Sequence, residues 1–173
     1  MAPRQIRKIL VIKLSALGDF ILALAAMKRI RDAHPGGHIT LLTTPPFESL
    51  AKASPYVDAV ETDGRPSGVG QWISLLRRLR KARYDQVYDL QTSSRSSLMF
   101  FGLLPFAPQW SGIALGAPHP HRNRRRDFLH TLERQADQLM HAGIWPTAPT
   151  TPGAAPPPDL SWIVGGQPAP RPG

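Results

Sequence analysis

"ILVIKLSALGDFILALAAMKRIRDAH", residues Ile9–His34, is the stretch whose reading decides the fold. Its first four residues are an unbroken apolar run, as in a strand buried on both faces of a parallel sheet. From Phe20 the period changes. Phe20, Ala23, Leu24, Met27 and Ile30 recur at helical spacing. A buried strand therefore hands over to a helix within "KLSALGDF", Lys13–Phe20. In open parallel sheets, ligands sit outside the carboxyl ends of the strands, so this junction bears on function from the start.

The alternation continues along the chain. "HPGG" ends the first helix, and "HITLLTT" is β-rich up to Pro45-Pro46. "FESLAKA" reads as a short helix closed by Ser54-Pro55, and "DAVET" as a third strand. After the loop "DGRPSGVG", "QWISLLRRLRKARY" is a basic amphipathic helix with Trp72, Leu75, Leu76 and Leu79 on its apolar side. "DQVYDL" is a fourth strand, "SRSSLMFFGLL" a fourth helix, and "PQWSGI" a fifth strand. A basic loop leads into "FLHTLERQADQLMHAGI", the last helix. Strands alternating with helices predict an α/β fold, a Rossmann-like parallel sheet with flanking helices and right-handed crossovers.

Two regimes divide the 173 residues. Residues 1–145 carry the alternation and are expected to form one domain. From Pro146 to Gly173, nine of 28 residues are proline. Proline lacks the backbone donor, so 146–173 reads as a linker or tail. Within it, "LSWIVGG" is an apolar island that either docks on the domain or begins a further structure.

The formal net charge is +9, and there is no cysteine. The surplus favours an anionic partner: nucleic acid, a phosphorylated small molecule or an acidic membrane surface. The lack of cysteine excludes disulfides and thiolate metal sites. His119 and His121, in "HPH", have no matched carboxylate, so neither a metal nor a cofactor is expected. No helix-turn-helix, zinc-finger or RNA-binding pattern is present, and a nucleic-acid partner is not expected. Arg4, Arg7 and Lys8 mimic the basic start of a signal peptide. The apolar run behind them is too short, and no stretch approaches the ~20 apolar residues of a spanning helix. The sequence reads as cytoplasmic.

The junction supports two readings. Gly18 allows a sharp turn or a close approach to a ligand. The helix start favours an anion, and Asp19 is placed to act as a general base toward a hydroxyl. Alternatively, Ser and Asp are preferred helix N-caps and an acid in the first turn stabilises the helix, so Asp19 serves only the helix start. Neither G-x-G-x-x-G nor G-x-x-x-x-G-K-[ST] occurs, so dinucleotide or P-loop binding does not follow.

Three stretches in order carry a resemblance: "ILVIKLSALGDFILALAAMKRIRDAHPGGHITLLT", "YDQVYDLQTSSRSS" and "HTLERQADQLMHAGI". The first has a Lys/Arg–x–Ser–x–x–Gly–Asp loop between strand and helix, and the last a His–x–x–Glu–Arg helix. Together they resemble the heptosyltransferase-type enzymes of glycosyltransferase family 9. The resemblance implies the N-terminal domain of a GT-B glycosyltransferase, in which two Rossmann-like domains face across a cleft. It implies inverting transfer of a sugar, ADP-heptose being the donor of the best-known members, to a lipopolysaccharide inner-core acceptor. Asp19 would be the general base. Ser15 and Gly18 would shape the loop and offer backbone N–H groups. Charge and position add Arg65 in the loop after the third strand, Arg95 after the fourth and Arg122 in the second basic cluster as candidates to hold the anionic acceptor. His130, Glu133 and Arg134 match the late helix, where Glu133 and Arg134 are expected to brace it by local pairing.

Family members run to roughly twice this length, so the donor domain is expected to be missing from these residues. The chain would supply the acceptor half, at the inner face of the inner membrane. The alternative is a non-catalytic module that binds an acidic glycan or membrane surface. Arg77, Arg78, Arg80, Lys81 and Arg83 are expected to form a solvated helix face or a membrane contact. Arg122, Arg124, Arg125 and Arg126 belong either to a ligand or membrane contact or to a mobile loop.

Overall fold

The computed structural model describes residues 8–146 and 153–164. Six parallel strands form one sheet in the order β3-β2-β1-β4-β5-β6. They are β1 (Lys8–Ile12), β2 (His38–Leu42), β3 (Ala59–Glu61), β4 (Gln86–Asp89), β5 (Gln109–Gly112) and β6 (His119–Pro120). The helices are α1 (Leu17–Ala33), α2 (Glu48–Ala53), α3 (Val69–Ala82), α4 (Ser94–Leu103), α5 (Thr131–His141) and the single turn α6 (Ser161–Val164).

β1 lies at the centre, paired in register with β2 through Lys8–His38 to Ile12–Leu42, and with β4 through Ile9–Gln86 to Ile12–Asp89. Ile9 to Ile12 are fully buried, as their unbroken apolar run requires. The two-residue period of the strand divides them between two cores. Ile9 and Val11 face α1, α2 and α5 and pack with Phe20, Leu24, Met27 and Ile30. Leu10 and Ile12 face α3 and α4 and pack with Leu75, Leu79, Met99 and Phe100. The helical spacing noted from Phe20 to Ile30 is therefore the inward face of α1.

The basic loop holds more structure than its composition suggested. Its His119–Pro120 segment adds β6 at the sheet edge through Ser111–His119 and Gly112–Pro120. The last helix starts later than its pattern. Arg126–Phe128 form a 3-10 turn, His130 is the N-cap, and α5 covers only Thr131–His141. Of the two readings of the apolar island in the proline-rich segment, docking on the domain is the one seen at Trp162. Trp162 is buried against the Tyr56 ring, edge to face at 6.3 Å, and its indole N–H donates to the Asp159 carbonyl at 2.9 Å. Proline-rich backbone cannot form a ladder, but one aromatic side chain suffices to dock it.

Strand order reverses between β1 and β4, since the chain winds outward from β1 through β2 and β3 and then returns to β4 on the other side. Such a switch point opens a crevice beyond the carboxyl ends of the two strands. The loops that flank it here are Lys13–Ala16 and Leu90–Ser93.

Candidate active site

Four loops meet above the crevice. The Gln91 side-chain carbonyl accepts from the backbone N–H of Leu14 at 2.8 Å and of Ser15 at 3.2 Å, so the loop after β4 fastens the loop after β1. The Thr44 hydroxyl donates to the Leu14 carbonyl at 3.0 Å from the loop after β2. The loop after β3 closes the group. A Cβ on Gly64 would lie 2.3 Å from Leu14 Cδ2 and 2.7 Å from the Thr43 carbonyl, so only glycine fits there.

This arrangement brings several of the predicted residues together. Arg65 donates to the Ser15 hydroxyl at 2.6 Å, with both side chains open to solvent. Arg95, in the first turn of α4, donates to the Pro66 carbonyl at 2.9 Å and lies over the Trp72 ring at 5.9 Å. It therefore holds the loop that presents Arg65. Arg122 is exposed beyond β6 and makes no hydrogen bond with a described residue, so it is at the same edge of the sheet but not tied to the group. One expectation is corrected: the Ser15 N–H is taken by Gln91 and is not offered to a ligand.

Asp19 is the third residue of α1 and partly exposed. Of the structural reading, the structure bears out the acid in the first turn and not the N-cap. The N-cap is Ala16, which has no side-chain cap bond. The Asp19 carboxylate instead accepts from the Thr131 hydroxyl, at the start of α5, at 3.2 Å. A first-turn acid still suits the helix dipole, but by only about 0.3–1 kcal/mol. Gly18 also departs from its expected role. It is the second residue of α1, its φ is not positive, and a Cβ there would meet nothing within 4 Å. No turn requires glycine here, and the space in front of it is open.

Three residues that sequence reasoning did not select complete the site. Lys13 is only 2% exposed at the end of β1. Burial pushes its ammonium below the usual lysine value, against the attraction of Asp19; Arg134 adds to the fall and Asp89 opposes it. Its signal was a lysine directly behind a fully buried strand. Thr131 and Gln91 had none, because each acts across more than 75 residues of chain. Arg134 was expected to pair locally. Its guanidinium makes no hydrogen bond with a described residue and contributes charge toward Lys13. Glu133 is buried, faces His130 Nδ1 at 3.4 Å and accepts from the Gly153 N–H at 2.7 Å.

Asp89 is completely buried at the end of β4, under the site. Its Oδ1 accepts from the N–H of Gln91 at 3.1 Å and of Thr92 at 2.9 Å. Burial pushes the carboxyl up to about 6, against the Ser96 hydroxyl, these N–H groups and Lys13. The unfolded chain releases this proton near 3.8 and the folded chain near 6. The contribution of the protonated group to stability is therefore full below 3.8 and is lost as pH rises through 6, by about 3 kcal/mol. Denaturant unfolding across that window is expected to have a flatter pH dependence in Asp89→Asn than in the parent chain. Equal slopes would remove Asp89 as the cause.

His121 is not free to serve a metal. Its Nε2 bonds the Asp137 carboxylate at 2.6 Å, and the Asn123 amide donates to the same oxygen at 2.9 Å. Among the described residues, no group of three His, Asp or Glu has a metal-holding arrangement.

No family model matches the chain. Over 97 residues, 56% of this chain and 28% of the relative, it is 25% identical to the lipopolysaccharide core heptosyltransferase OpsX of Haemophilus influenzae. The ADP-heptose LPS heptosyltransferase II of E. coli is similar in structure, with a TM-score of 0.68 at 24% identity, over 88% of this chain and 46% of that one. A glycosyl transferase family 9 structure from Veillonella parvula has a TM-score of 0.65 at 22% identity, over 80% and 41% respectively. The chain thus spans less than half the length of each of these three proteins. At these identities the solved structures speak for the Rossmann-like fold. The resemblance legible in the Gly-Asp loop, the fourth strand and the late helix is borne out: this chain is similar to the heptosyltransferases of glycosyltransferase family 9, matching part of such an enzyme.

Proposed function

We propose that this chain is the acceptor half of an inverting, heptosyltransferase-like glycosyltransferase of the GT-B type, acting in lipopolysaccharide core assembly. Residues 1–145 form the acceptor-side domain. Residues 146–173 lead toward a donor domain that these 173 residues do not contain, and that domain binds the nucleotide-sugar, ADP-heptose by the family resemblance. The observation that carries this reading is the Asp19 carboxylate. It stands partly exposed at the switch point, one oxygen steadied by Thr131 and the open face of Gly18 beside it. Inverting transfer needs a base to take the proton of the acceptor hydroxyl as that oxygen attacks the anomeric carbon. A carboxylate held by one donor keeps lone pairs for that proton. Arg65, presented by Ser15 and by the loop that Arg95 holds, meets an acidic or phosphorylated core sugar, with Arg122 as a second cation at the same edge. The enzyme works in the cytoplasm, in peripheral contact with the inner face of the inner membrane.

Calorimetric titration tests this. The chain is expected to bind an inner-core acceptor and not ADP-heptose; absence of acceptor binding would refute the acceptor half. A module that binds the glycan without catalysis would also bind the acceptor, but transfer by a chain carrying the donor domain would not then depend on Asp19. Gly18→Ala separates scaffold from ligand. A helical alanine in open space is expected to leave stability unchanged or raise it by up to about 1 kcal/mol. Its methyl is expected to weaken acceptor binding about tenfold, the equivalent of ~1.4 kcal/mol of contact. Unchanged affinity in the same titration would place the ligand elsewhere.

A further inference from the structure

The layer formed by α3 and α4 covers the face of the sheet opposite α1 and α5. Its outer surface combines two features that soluble surfaces usually keep apart. Among the described residues, ten large apolar side chains are exposed, and six of them belong to this layer and the turn behind it: Val69, Ile73, Leu98, Phe101, Leu104 and Phe106. Phe106 is 91% exposed and Val69 77%. The same segment carries only cations. Arg77, Arg78, Arg80, Lys81, Arg83 and Arg95 lie on α3, its end and α4, and no acid occurs from Val69 to Tyr84 or from Leu90 to Gln109. The acids between, Asp85 and Asp89, are a partner of the Lys8 N–H and a fully buried group.

The two features share one surface. At 3.6 residues per turn, Val69, Ile73, Arg77 and Arg80 share one flank of α3. Leu76 on that helix packs so closely on α4 that a Cβ at Gly102 would come within 2.7 Å of it, so the outer flanks of the two helices are neighbours. The cations divide in two. Arg78 pairs with Glu61 and Asp63, Arg80 donates to the carbonyls of Gly102 at 2.7 Å and Leu104 at 3.4 Å, and Arg95 serves Pro66. The expectation of a uniformly solvated basic helix is thus wrong for Arg78 and Arg80, which hold structure. The side chains of Arg77, Lys81 and Arg83 make no hydrogen bond or ion pair with a described residue. A cavity of about 660 Å³ opens at the end of this layer, between Arg80, Arg83, Leu103 and Phe106.

We propose that the outer face of α3 and α4 docks on an anionic lipid bilayer. Leu98, Phe101, Leu104 and Phe106 enter the headgroup boundary, and Arg77, Lys81 and Arg83 meet lipid phosphates. Apolar side chains flanked by unpaired cations are the pattern that binds such an interface. A second copy of the chain is a poor occupant, because a face with only positive charge repels itself. Residues 1–7, 147–152 and 165–173 contain no acid that would complement this face. The face also lies on the side of the sheet, away from the crevice, and leaves the site open. The proposal deepens the peripheral contact proposed above and rests on that reading only for which membrane is met.

Vesicle flotation tests it with the purified chain, phosphatidylcholine alone being compared with phosphatidylcholine mixed with phosphatidylglycerol. Binding is expected only to the mixed vesicles, and it should weaken as salt rises. Phe101→Ser/Phe106→Ser and Arg77→Glu/Arg83→Glu are each expected to weaken it by about tenfold or more, with unchanged thermal midpoints because all four side chains are exposed. Arg124→Glu/Arg125→Glu, exposed and outside this face, should bind as the parent does. Failure of the parent chain to bind mixed vesicles overturns the proposal. So does full binding by both α3–α4 variants, or loss of binding in the Arg124/Arg125 variant alone. None of these outcomes bears on acceptor titration, which is done without lipid.

Discussion

Asp19→Asn is expected to lower sugar transfer by about 10²–10⁴-fold in a chain that carries the donor domain, the usual worth of a positioned general base. The substitution is nearly isosteric and keeps an oxygen for the Thr131 hydroxyl, so the bond between α1 and α5 survives. What it removes is the basic oxygen. The loss should therefore fall on kcat, with the KM for the acceptor little changed. Stability should drop by no more than about 1 kcal/mol, the value of one acid in a first helical turn. The capping alternative makes the opposite forecast: a lower melting temperature and intact transfer. A single preparation measured for both quantities decides between them. Retained transfer would leave Asp19 a structural acid, and the site would then have to be sought around Arg65 and Ser15.

The largest expected effect on stability comes from Arg31→Met, at about 3–5 kcal/mol. Arg31 stands in the last turn of α1 and is buried. Its guanidinium donates to the Tyr56 carbonyl at 3.2 Å, to the Gly37 carbonyl at 2.8 Å and to the Asp58 carboxylate. The same Asp58 oxygen accepts from the Ile39 N–H at 2.8 Å. One side chain thus joins the end of α1, the turn into β2 and the approach to β3. Methionine fills the volume but leaves two carbonyls and a largely buried carboxylate short of a donor, and this shortfall is the cost. Urea unfolding should show it as a lower midpoint. Arg31→Met/Asp58→Asn is expected to recover part of the loss, because the asparagine oxygen still accepts from Ile39 and the charge that faced Arg31 is gone.

The same pair has a signature in acid. Burial pushes the Asp58 carboxyl up, but the Ile39 N–H and Arg31 together outweigh it and hold the group below the usual carboxylate value. A depressed acid contributes stability above its unfolded value of 3.8 and loses it as pH falls through the folded value. The parent chain should lose stability below about pH 4, and Arg31→Met should lose less over the same interval. Equal acid losses would mean that Arg31 is not what sets the Asp58 carboxyl.

Part of the site was legible because its signals are local. The strand-to-helix junction at Lys13–Phe20, the acid in it and the arginine after the third strand are each a few residues of sequence, and the structure places Ser15 and Arg65 in contact. Other readings failed where a local rule met a distant partner. Asp19 suits a helix cap by type, yet its partner is Thr131. Ser15 has a backbone N–H like any loop residue, yet Gln91 takes it. Arg78 and Arg80 look solvated by helical pattern, yet Glu61, Asp63 and two carbonyls of the 102–104 segment hold them.

By itself, then, the sequence determined the alternation of strands and helices, the inward face of each, the Rossmann-like class and the family resemblance. All of these rest on periodicities and motifs a few residues long. Tertiary structure alone decided the edge strand at His119–Pro120, the burial of Lys13 and Asp89 beneath the crevice, and which cations remain unpaired. In a parallel sheet every strand returns by a crossover, so neighbours at the site edge lie far apart in sequence. Ser15 and Gln91 are 76 residues apart, and Asp19 and Thr131 are 112 apart. No window of sequence spans that distance, and only packing the helices on both faces brings such pairs within a hydrogen bond.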